Sequence, residues 1–88
     1  MNKEVIFKGI SFKGQFPLSA NLKSEPGVYI IADKKNKVTG IGETENLKEK
    51  ISAHKKNKGW HLWFCREDNP RNRSRIKKFI SQEYQLSF

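Results

Sequence analysis

The sequence is short of four things, and each shortage excludes a class of protein. Cys65 is the only cysteine, so no internal disulfide forms, and with only His54 and His61 to add, a cysteine-based structural zinc cluster has too few ligands. No run approaches the roughly eighteen consecutive apolar residues that a membrane-spanning helix needs, and the opening Met1-Asn2-Lys3-Glu4 leads into no apolar signal segment. The expectation is a soluble, cytoplasmic chain with no membrane partner. Acidic residues are scarce, nine against eighteen Lys and Arg, and the resulting net charge of +9 suits nucleic acid or another polyanion. Length is the last shortage: 88 residues leave room for one folded unit.

Aromatics are not scarce. Two Trp, six Phe and two Tyr within a 35% apolar composition give a small core a large payload per position. Val5-Ile6-Phe7 and Ile10-Ser11-Phe12 read as an arm or edge strand within residues 1–24, with Pro17 and Leu22 to Pro26 marking a loop, and residues 25–88 read as the domain proper. Val28-Tyr29-Ile30-Ile31-Ala32 reads as a buried strand. The basic turn Asp33 to Lys37 separates it from Val38-Thr39-Gly40-Ile41-Gly42, an antiparallel partner at hairpin distance.

From Thr44 the period changes. Leu47, Ile51 and His54 fall at i, i+4 and i+7, which predicts an amphipathic helix over about residues 45–57 with Thr44 as its N-cap. Trp60 to Cys65 reads as a third strand with Trp60, Leu62 and Phe64 on one face; Trp63, beside His61 on the other, is the candidate for an exposed stacking platform. Cys65 reads as a small buried hydrophobe. Asn69-Pro70 starts a final helix carrying Ile76, Phe79, Ile80 and Tyr84 at helical spacing. The predicted fold is α/β (α+β), a small three-stranded antiparallel sheet flanked by helices, with an N-terminal extension able to add a strand.

Gly27-Val28-Tyr29, then Gly40-Ile41-Gly42-Glu43-Thr44-Glu45-Asn46-Leu47, then Lys50 and His54, resemble the GIY-YIG nuclease family. Eleven residues separate Tyr29 from Ile41, and the resemblance extends over roughly residues 25–84. It implies an endonuclease-like domain in which two strand tyrosines, a helical arginine, often a histidine, and one glutamate holding a divalent metal surround the scissile phosphate. On that mapping Tyr29 keeps its phenol, and His54 is either the family histidine or the residue closing the helix's apolar stripe. The other positions depart from the pattern. Gly40 stands where the second tyrosine belongs, and glycine offers no proton acceptor. Lys50 stands for the arginine, keeping the charge but losing the planar fork. The metal glutamate falls on Ile76, or on Lys77 in the neighbouring register, and neither ligates a metal.

The charge is unevenly spread, +6 over residues 45–88 against +3 over residues 1–44. Lys50, Lys55, Lys56 and Lys58, with Arg71, Arg75 and Lys78 at i, i+4 and i+7 on the last helix, are the expected phosphate contacts. Three readings follow. The first is a catalytically degenerate domain binding DNA or RNA through a basic face in an accessory or regulatory role, with no cofactor. The second is an active endonuclease using Mg²⁺ and a site rebuilt from Tyr29, Lys50, His54 and an unassigned acid. The third is an interaction or inhibitor module whose partner is an acidic protein.

Overall fold

The computed structural model describes residues 3–7, 9–54 and 56–84. Within them the elements run β1 (Lys3–Phe7), β2 (Ile10–Pro17), β3 (Gly27–Ala32), β4 (Val38–Thr44), α1 (Leu47–Ser52), β5 (His61–Arg66) and α2 (Pro70–Tyr84). The strands form one antiparallel sheet in the order β1-β2-β5-β3-β4. The predicted three-stranded core is present as β4-β3-β5, but the sheet has five strands rather than three. The N-terminal segment contributes a whole hairpin, because Pro17 ends β2 instead of interrupting it and Phe12 is fully buried in the shared core.

β3 is buried at every position, so each of its faces needs a cover. On one face Tyr29 and Ile31 pack with Leu47 and Ile51 of α1 and with Leu18, Leu62 and Phe64. On the other, Val28 and Ile30 pack with Phe12, Ile41 and Ile80, and Ile76 leans against the same cluster. The two helices therefore lie on opposite faces of the sheet. Each fully buried Leu, Ile or Phe contributes roughly 1.5–3 kcal/mol relative to exposure.

Three local expectations change. Helix α1 is shorter than 45–57 and is capped by Asn46, whose side chain accepts from the Glu49 N–H at 3.1 Å; the Thr44 hydroxyl instead accepts from the Asn46 N–H at 3.1 Å and orients that cap. Beyond Ser52 the chain runs through short turns, His54 N–H to Ile51 C=O and Asn57 N–H to His54 C=O. Trp63 is no exposed platform: its ring meets Phe7 edge-on at 6.0 Å, covered by the N-terminal hairpin. The last helix starts as predicted, with Asn69 accepting from the Arg71 and Asn72 N–H groups at 2.9 and 3.2 Å just before Pro70.

Glycines separate close packing from open space. A side chain at Gly27 would run into the Cys65 carbonyl and the Leu47 side chain, whereas a Cβ at Gly40 would meet nothing within 4 Å. Gly27→Ala is therefore expected to cost about 1–3 kcal/mol, while Gly40→Ala is neutral or stabilising by up to about 1 kcal/mol. Urea unfolding of the two variants beside the unaltered chain reads both outcomes.

Candidate functional site

The alternation of β3 sends Tyr29 to the α1 face, where Gly42, its neighbour on β4, leaves room for the phenol to lie across that strand. Burial first, and the Glu43 charge second, push the Tyr29 phenol above its ordinary value of 10.0. It is therefore neutral at pH 7. Gly40 faces the same side, opposite Ile31, and the space above it is open. The position the resemblance assigns to a second tyrosine thus shares a sheet face with Tyr29 and carries no functional group.

Lys50 is exposed on α1 and borders a shallow groove of roughly 520 Å³ together with Thr44, Glu45, Asn46, Glu49 and Ala53. Glu45 and Glu49 flank the lysine there and offset its charge. His54 is half-buried and sits in the turn after α1 rather than on the helix. Lys56 and Lys58 are exposed in the connection to β5, and Lys55 lies outside the described residues.

Ile76 is on α2, half-buried in the cluster on the opposite face of the sheet from Tyr29; Lys77 is exposed. Around the start of α2 the carboxylates are already engaged: Glu43 with the Arg73 guanidinium at 2.8 Å, Glu67 with the Asn69 N–H at 3.2 Å, Asp68 with Arg66 at 3.4 Å. A divalent cation needs free oxygen ligands, and the hydrocarbon at Ile76 supplies none, so the residues present do not fit the family's metal. Among the described residues no cluster of three or more His, Cys, Asp or Glu could hold one either.

Arg71, Arg75 and Lys78 are exposed on the crest of α2, pointing away from the sheet. The cations predicted to act together are therefore divided, Lys50 on α1, Lys56 and Lys58 on the connection to β5, and the α2 row on the other side of the sheet. Arg73, part of the same sequence run, is not on that surface. It is buried, giving its Nε to Glu43 and its Nη1 to the Glu67 and Asp68 carbonyls at 3.1 and 3.0 Å. The spacing Arg73, Ile76, Ile80 places it on the helix's inward face, a signal visible in the sequence but masked by the surrounding basic residues. Cys65 packs against the α2-face cluster, and burial pushes its thiol up, away from nucleophilic use.

A family model of the GIY-YIG catalytic domain matches residues 25–88. The chain belongs to the GIY-YIG family. No curated protein and no solved structure matches it. The family places the domain among nuclease-like proteins of nucleic-acid metabolism, and the hairpin, α1, β5 and α2 of that fold are all present. No described helix is long and apolar enough to cross a membrane.

Two outcomes test this geometry. Arg73→Met leaves Glu43 and two carbonyls without their donor, and because Glu43 is about a third exposed the expected loss is about 2–3 kcal/mol, with Arg73→Lys recovering part of it; chemical unfolding measures both. For Tyr29, the folded state holds the proton more tightly than the unfolded one. Its contribution to stability is complete below the ordinary phenol range and is lost as pH rises through the folded-state value. Tyr29→Phe is expected to flatten the fall in stability above about pH 10, read as unfolding midpoints across alkaline pH.

Proposed function

We propose that this chain is a GIY-YIG domain that binds nucleic acid without cutting it, in an accessory or regulatory role in the cytoplasm and without a metal cofactor. The observation that carries this reading is the combination at two positions of one scaffold: open space over Gly40 where a phenol would help activate water, and the apolar Ile76 where a carboxylate would hold the ion. Losing both removes proton abstraction and charge stabilisation together, each worth orders of magnitude in rate. Glu43, the carboxylate whose charge acts on Tyr29, is held by Arg73 and serves structure.

What remains is a framework with a charge of +9 and exposed cations at several places, which supports phosphate contact without chemistry. The deciding experiment runs a plasmid-nicking assay with Mg²⁺ and with Mn²⁺ beside a binding titration on the same nucleic acids. The expected result is salt-dependent binding with intact substrate at saturating protein. Nicking that disappears on chelation and in Tyr29→Phe overturns the reading in favour of an active nuclease.

A further inference from the structure

Five exposed lysines stand on two neighbouring segments, the turn from β3 to β4 and the connection from α1 to β5. The turn is rigidly built: Asp33 N–H donates to the Lys37 carbonyl and Asn36 N–H to the Asp33 carbonyl, both at 2.9 Å, with Asn36 in the left-handed region at φ 62°. Asp33 is the only carboxylate in the turn, and its Oδ1 is directed inward onto the Lys35 and Lys37 N–H groups at 2.8 and 3.0 Å. Lys34, Lys35 and Lys37 are left exposed.

The pairing of Ala32 with His61 brings this turn beside the connection between α1 and β5. There the stem of Lys34 lies over Gly59, so close that a Cβ on that glycine would sit 3.1 Å from Lys34 Cγ. Lys56 and Lys58, exposed on that connection, join the hairpin lysines at one end of the molecule. Next to them a cleft of roughly 300 Å³ opens, with Ser19, Asn57, Lys58, Trp60 and His61 in its wall. Trp60 is half-buried, and His61 Nδ1 is buried with no hydrogen-bond partner among the described residues.

We propose that this lysine-rich end of the sheet is the nucleic-acid interface and that it takes a single strand, the phosphates lying along Lys34, Lys35, Lys37, Lys56 and Lys58 and an unpaired base entering the cleft beside Trp60 and His61. The inference rests on the nucleic-acid-binding reading and adds the place and the form of the ligand. Clustered cations give the backbone a track; an aromatic wall in an adjoining cleft serves only a base whose face is free, since a duplex hides its faces in the stack.

The test is fluorescence anisotropy of a labelled oligonucleotide, single-stranded and as the matching duplex, at about 50 and 200 mM salt. It uses the full chain, the variant Lys34→Glu/Lys35→Glu/Lys37→Glu, and the variant Arg71→Glu/Arg75→Glu, each checked for an unchanged unfolding midpoint. The hairpin variant is expected to lose at least about tenfold in affinity and to lower the salt slope by about 2, while the α2 variant changes affinity less than about threefold. The unaltered chain is expected to prefer the single strand to the duplex by about tenfold. Loss confined to the α2 variant overturns the proposed place and leaves the nucleic-acid reading standing. Equal affinity for duplex overturns the proposed form. Displacement by polyglutamate as readily as by unlabelled strand assigns the surface to an acidic protein and overturns the inference. If the unaltered chain binds neither oligonucleotide at the lower salt, the nucleic-acid reading fails and the inference fails with it.

Discussion

A strand buried on both faces is the constraint from which the other features follow. All six residues of β3 are buried, so each face of the sheet must carry a cover, and with one short helix and one long one available the chain places one on each side. The covers are unequal. α1 is under two turns long and holds its place through Leu47 and Ile51, whereas α2 spans fifteen residues and anchors through Ile76 and Ile80. This arrangement separates Tyr29 and the open space over Gly40 from the Ile76 side chain by the thickness of the sheet.

Arg73 fastens the second cover. Its guanidinium links α2 to β4 through Glu43 and to the β5–α2 connection through two carbonyls, three contacts that a planar fork makes at once and an ammonium does not. A buried ion pair is weak evidence for added stability, because desolvation offsets much of the attraction, but it fixes orientation strongly: misplacing α2 would leave a charge buried and unpaired. Glu43, the carboxylate whose charge acts on Tyr29, is thereby committed to holding the fold.

Much of this was legible in the sequence, for identifiable reasons. The strands β3, β4 and β5 and the start of α2 were readable because apolar alternation, the Asp33–Lys37 turn and Asn69-Pro70 are strong local signals. The length of α1 was not, since Lys55-Lys56-Asn57 is compatible with either a helix or a run of turns, and the turns after Ser52 depend on how the chain returns to β5. The N-terminal hairpin is poorly legible because β2 changes faces partway: Phe12 packs on the α2 side and Phe16 on the α1 side, with a register shift between Lys13 and Phe16, so no single alternation marks it as a core strand. Of the site residues, Tyr29 and Gly40 do share a face, as their motif positions imply. The grouping of the cations was illegible, because helical spacing along α2 says nothing about which side of the sheet that helix covers.

Catalysis and phosphate binding place different demands on a GIY-YIG domain. Catalysis requires a few groups within hydrogen-bond reach of one phosphorus, and it is lost when one or two of them are replaced. Phosphate binding is tolerant by comparison. It depends on the number of cations along a path, acts over about a Debye length of roughly 8–10 Å, and survives rearrangement of any single contact. Lys34, Lys35, Lys37, Lys56 and Lys58 stand on two turns outside the core, where charge is accommodated without cost to packing, whereas the family's catalytic positions lie on elements that must also build the sheet and its covers. A basic surface at the hairpin end can therefore be maintained independently of what occupies positions 40 and 76.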